Sequence, residues 1–130
     1  MKVAFATEDM KRVDAHFGWA RSIMVYDLEA DSSALVKTYV FDGTLEQDGN
    51  ESKISPKLDA IKDCAIVYVA DIGGPAAARV VANKIHPVKA KNLEFIDDLI
   101  KEIQKVMKGT PPPWLRKAMM KGQETPANFE

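Results

Sequence analysis

A single imidazole in a loop, Asp14-Ala15-His16-Phe17-Gly18, is the first candidate for a metal ligand in this sequence. A neutral ring nitrogen is a common ligand, and the neighbouring carboxylate of Asp14 is of the type that orients such a ring. The bland alternative is a histidine that caps its loop through hydrogen bonds while Phe17 packs beneath it. One histidine makes no motif by itself. The second candidate is Asp71-Ile72-Gly73-Gly74-Pro75-Ala76, which joins an apolar run to a helical pattern. Glycines there let a bulky group approach the backbone, and the free amides of a helix's first turn favour an anion. The same glycines also suit a tight strand-to-helix turn. The segment lacks the Lys-Ser/Thr ending of a phosphate loop and the spacing of a dinucleotide fingerprint.

The remaining candidates are weaker. Cys64 is the only cysteine, so the chain has no internal disulfide and cannot supply the several thiolates that hold an iron–sulfur cluster permanently. Any cluster bound here is borrowed, and Cys64 itself reads as a small buried hydrophobe. His86-Pro87 looks like a strand start and a backup ligand. Met107, Met119 and Met120 are filler for a core or an interface rather than sulfur donors. No Gly-x-Ser-x-Gly elbow, His-Glu-x-x-His helix or Cys-x-x-Cys pair occurs, which argues against catalysis. A magnesium-dependent nuclease would need carboxylates to converge, and Asp9, Asp14 and Asp71 are the ones near strand ends.

Positioning these loops requires strands and helices. Residues 2–7 alternate Val3 and Phe5 against Ala4 and Ala6, a short strand ending in polar Thr7-Glu8-Asp9. Ser22–Leu28 is apolar on both faces, hence interior, and Ala34–Phe41 follows the turn Asp31-Ser32-Ser33 as an antiparallel neighbour. Asp42–Lys53 is a long polar connection. Ser55-Pro56 opens a helix whose buried face carries Leu58 and Ile61. The buried strand Ala65–Ala70, a helix from Ala76 to about Lys84, a short strand His86–Ala90 and a helix capped by Asn92 complete the pattern. Gly109 ends that last helix, and Pro111-Pro112-Pro113 leads into a tail lying outside the core, whose Trp114, Leu115, Ala118 and Met119 either pack on the domain, the favoured reading, or dock in a groove on a partner. The order β-β-β-α-β-α-β-α predicts a single α/β domain over 1–109, a ribonuclease-H-like mixed sheet with flanking helices, plus a C-terminal extension over 110–130.

Composition sets the outer bounds. In a chain of 130 residues, 46% hydrophobic and 28% charged, one core has to serve the whole function. Eighteen Lys and Arg against nineteen Asp and Glu give a net charge of -1, which makes nucleic acid a poor first guess. The longest apolar run, Ala65–Ala70, is far shorter than the roughly 20 residues of a membrane helix, and the start carries no signal segment. A cytoplasmic protein is expected.

Three segments in sequence make a more specific pattern: the initial Val-Ala-Phe-Ala-Thr strand, His16-Phe17-Gly18, and Asp71-Ile72-Gly73-Gly74-Pro75-Ala76-Ala77-Ala78-Arg79. Over roughly residues 1–107 the chain resembles the dinitrogenase iron–molybdenum cofactor-binding family. The tail Pro111-Pro112-Pro113-Trp114-Leu115-Arg116-Lys117 is similar to that of the family's shorter members, which lack the extra N-terminal domain of some relatives. The resemblance implies a ribonuclease-H-like fold without nuclease activity. It implies a carrier that transiently binds the iron–molybdenum cofactor or the NifB cofactor, its iron–sulfur precursor, with the NifEN scaffold and NifB as partners. The family's loop histidine falls on His16, the implied metal ligand, and its glycine turn on Gly73 and Gly74. With Phe17 and Gly18 these form the implied cofactor-binding set. The alternatives are a cluster- or partner-binding module outside nitrogen fixation and a metal-dependent hydrolase.

Overall fold

The computed structural model describes residues 1–41, 51–91 and 93–121, and the side chains of all of these except 51–54. Its strands are β1 (Lys2–Thr7), β2 (Ser22–Leu28), β3 (Ser33–Val40), β4 (Ile66–Val69) and β5 (His86–Lys89). Helices α1 (Glu51–Ile61), α2 (Gly74–Ala82), α3 (Ile96–Lys108) and α4 (Pro113–Met120) accompany them, with a 3-10 turn at Phe17–Trp19. The strands form one mixed sheet in the order β3-β2-β1-β4-β5. The first three are antiparallel neighbours, as the sequence predicts, while β4 and β5 join β1 in parallel.

The alternation along β1 sorts the interior into two layers. Ala4 and Ala6 face a cluster with Ile23, Val25, Val67 and Val69, closed by Phe17, by Leu58 and Ile61 of α1 and by Ala76 and Val80 of α2. Val3 and Phe5 face the other side, where Met24, Ile66 and Tyr68 meet Ile96, Leu99, Ile100 and Ile103 of α3. Phe5 stacks on Tyr68, with ring centroids 5.3 Å apart. The sheet is thus sandwiched between helices, and the small alanines of one face leave room for the Phe17 ring. Among the described residues, no helix is long and apolar enough to cross a membrane.

Four expectations need correction or bounding. Helix α1 starts at Glu51, so Ser55 and Pro56 lie inside it and not at its start, and Ser55 accepts a hydrogen bond from Arg79. An interior proline costs roughly 3 kcal/mol, an amount offset by burying Leu58 and Ile61 at about 1.5–3 kcal/mol each. The expected connection Asp42–Lys53 therefore ends before Glu51, and its residues 42–50 lie outside the described ones. Asn92 also lies outside them; α3 begins at Ile96 after Phe95, because Glu94 and Ile96 bond across to Val13 and Lys11 and hold the chain extended there. Lastly, the tail does not lie outside the core: Leu115 and Ala118 of α4 are buried among Val3, Phe5 and Ile103. Lys121 fastens it, donating to the carbonyls of Cys64 (2.7 Å), Asn83 (3.0 Å) and Lys84 (3.1 Å).

Candidate functional site

Beyond the end of β1 the chain builds a loop out of its own polar groups. Asp9 accepts from the amides of Lys11 and Arg12 and from the Arg12 guanidinium, and these bonds hold its carboxyl far below the usual range. Thr7 Oγ1 accepts from the Met10 amide, which permits the left-handed backbone of Met10 (φ 67°). Asp14 accepts from the Glu8 amide at 2.7 Å and from the Thr7 hydroxyl at 3.4 Å. Its role is therefore to close the loop on β1, and the expectation that it orients His16 does not hold. Glu8 in turn receives the Arg21 amide.

From this base the chain turns along the end of β4. Ala15 accepts from the Ala70 amide and Phe17 donates to the Asp71 carbonyl, both at 2.9 Å, so that His16 and Asp71 form a parallel bridge. Residues 15 and 17 are buried, Phe17 completely, and the alternation of an extended segment therefore turns His16 outward. The imidazole makes no capping bond and has no hydrogen-bond partner among the described residues; its ring neighbour is Trp19, 6.2 Å away between centroids. Two segments separated by more than fifty residues, the histidine loop and the glycine turn, thus come together at one edge.

The glycine turn is open. Asp71 accepts from the Ile72 amide at 2.8 Å and pairs with Lys89 at 3.3 Å, and its carboxyl is held low first by that amide and then by the lysine. Gly73 is the N-cap of α2 and Pro75 sits in its first turn, which no side chain caps. A Cβ placed on Gly18, Gly73 or Gly74 would meet no atom of the described residues within 4 Å. Close packing inside the protein therefore does not require glycine at these positions; what they leave is unobstructed backbone beside His16.

The other candidates lie elsewhere. His86 opens β5 opposite Ile66, at the far end of β4 from Asp71. Its ring stacks on Trp114 with 4.2 Å between centroids, and burial lowers its pKa. Cys64 is buried and its thiol is pushed up to about 12, mainly by desolvation, which makes it an inert side chain. Met107 and Met119 pack against the α3 layer. Asp9 and Asp14 share the Thr7 hydroxyl at 3.4 Å while Asp71 pairs with Lys89, and no three His, Cys, Asp or Glu side chains converge to hold a metal among the described residues. A cavity of about 450 Å³ lies at the His86 end, lined by Val81, Ile85, Trp114 and Ala118 among others.

One residue escaped the sequence reading. Lys57, only 2% exposed, donates from Nζ to the Gly18 carbonyl at 3.1 Å and lies 4.8 Å over the Phe41 ring. The available signal was its spacing: it sits on the same helical stripe as Leu58 and Ile61.

The chain belongs to the dinitrogenase iron–molybdenum cofactor family, whose model matches residues 1–106. Within that family it groups with NifX: it is 58% identical to Protein NifX of Herbaspirillum seropedicae over 130 residues, all of this chain and 89% of that relative. Protein NifX of Sinorhizobium fredii is 41% identical over 124 residues, 92% of this chain and 78% of its own length. Among solved structures, the crystal structure of PH0822 superposes with a TM-score of 0.56 at 27% identity, covering 81% of this chain and 89% of the other. The family model stops before α4, whereas the Herbaspirillum relative matches through the tail.

Proposed function

We propose that this protein is a non-catalytic cytoplasmic carrier for nitrogenase cofactor biosynthesis. It takes up the iron–molybdenum cofactor or its NifB-made iron–sulfur precursor at the edge formed by His16, Phe17, Gly18, Gly73 and Gly74. NifB is the source of the cargo and the NifEN scaffold its exchange partner. Family membership supports the role, and one observation carries the site: His16 is turned outward between two buried neighbours, its imidazole without a hydrogen-bond partner among the described residues and with the Trp19 ring beside it, next to backbone that no described residue obstructs. A single imidazole and open backbone form a reversible attachment, which suits a protein that must release what it binds, whereas a closed set of thiolates retains a cluster. The sheet order, with β2 alone antiparallel to the others, supports a ribonuclease-H-like reading of the fold.

The test is anaerobic mixing with isolated NifB cofactor, followed by gel filtration and iron analysis. Iron is expected to co-elute with the protein and to be lost from His16→Ala. A protein fraction free of iron at cofactor excess contradicts the assignment.

A further inference from the structure

We propose that Lys57 is a positioning residue for the cargo loop, acting through His16; this rests on the carrier site described above. A lysine this deeply buried is costly. Burial of an ammonium requires partners for its donors, and the Gly18 carbonyl is one of those that Lys57 has. Its ammonium is directed at the cargo loop. The 3-10 turn after His16 closes with an ordinary hydrogen bond, Trp19 N–H to the His16 carbonyl at 3.1 Å, and a long one, Ala20 N–H to the Phe17 carbonyl at 3.5 Å. The next carbonyl in sequence, that of Gly18, is the one Lys57 grips at 3.1 Å. Phe41, just beyond β3, lies under the same ammonium and is itself tied by its amide to the Arg21 carbonyl at the loop's exit. Lys57 thus joins α1, the end of β3 and the cargo loop through one charged group. Fixing the turn fixes the direction of the imidazole before cargo arrives, which lowers the ordering cost of binding.

The experiment is a double-mutant cycle of Lys57→Met and His16→Ala, reading affinity for isolated NifB cofactor under anaerobic conditions and stability by urea unfolding. Lys57→Met is expected to fold and to bind about tenfold more weakly. Lys57→Arg, which keeps charge and donors, should recover most of that loss. In the His16→Ala background, Lys57→Met should cause no further loss, a coupling that a merely structural role would not produce. Lys57→Gln enters the same cycle if Lys57→Met does not fold. Unchanged affinity in folded Lys57→Met, or an equal loss in both backgrounds, overturns the positioning role while leaving His16 in place. Normal binding by His16→Ala is a different outcome: it removes the site itself, and the role of Lys57 with it.

Discussion

The two ends of β4 carry one histidine each, and their surroundings are opposite. At the C-terminal end, His16 projects from a loop anchored by backbone hydrogen bonds, with bare glycine backbone beside it. At the N-terminal end, His86 lies under the Trp114 indole, and Lys121 ties the tail to three carbonyls close by. One end spends its polar groups on presenting an imidazole beside open backbone; at the other the exposed imidazole is stacked against an indole at the rim of a cavity, and the tail closes the core. The residue type is the same at both, so the neighbours decide which histidine is available to a ligand. Substitutions at the closed end should therefore change stability, and substitutions at the open end should change cargo binding.

The largest expected effect is at the closed end. Leu115→Ala removes a fully buried side chain from the α3 layer and should cost about 2–5 kcal/mol in urea unfolding, as large-to-small core changes do. Cofactor affinity of the folded fraction should stay unchanged; a loss of less than about 0.5 kcal/mol would show that α4 is only loosely laid on the domain. Lys121→Met should cost roughly 1.5–3 kcal/mol, the range for hydrogen bonds to a charged group, again without loss of binding.

At the open end the effects exchange places. Gly74→Val meets free space in the folded chain, so its stability should move by no more than about 0.5 kcal/mol, yet the added methyl groups narrow the approach to the backbone and should weaken cofactor binding. Normal affinity in this variant would make the glycine turn a connector only. The smallest effect concerns Cys64: with its thiol pushed up to about 12 by burial, labelling by a disulfide reagent at pH 8 should follow global unfolding. Fast labelling of the native protein would show that the closed end opens.

Legibility from sequence followed the range of the interactions. Period-two alternation locates β1, and a short run apolar on both faces locates β2, because each side chain's face is set by its immediate neighbours. The glycine turn and its helix were placed within a few residues for the same reason. Pro56 was taken as a helix start because the usual position of proline is local knowledge, whereas the burial that lets α1 run through it is tertiary. For the tail, packing on the domain holds for α4 but placing it outside the core does not, because whether Leu115 finds a groove depends on Val3, Phe5 and Ile103, far away in sequence. Asp14 was near His16 in sequence and bonds elsewhere, while Lys57, thirty-nine residues from Gly18, reaches the loop. Adjacency in sequence was a poor guide to which polar groups share a site.

The comparison reduces to one paired measurement: anaerobic titration of isolated NifB cofactor into the unaltered protein, His16→Ala and His86→Ala, with urea unfolding of all three. His16→Ala should keep its stability and bind at least about tenfold more weakly, while His86→Ala should bind like the unaltered chain within about twofold. A folded His16→Ala that binds normally, or a His86→Ala that loses as much affinity as His16→Ala, would contradict the assignment of the cargo site to the open end of β4.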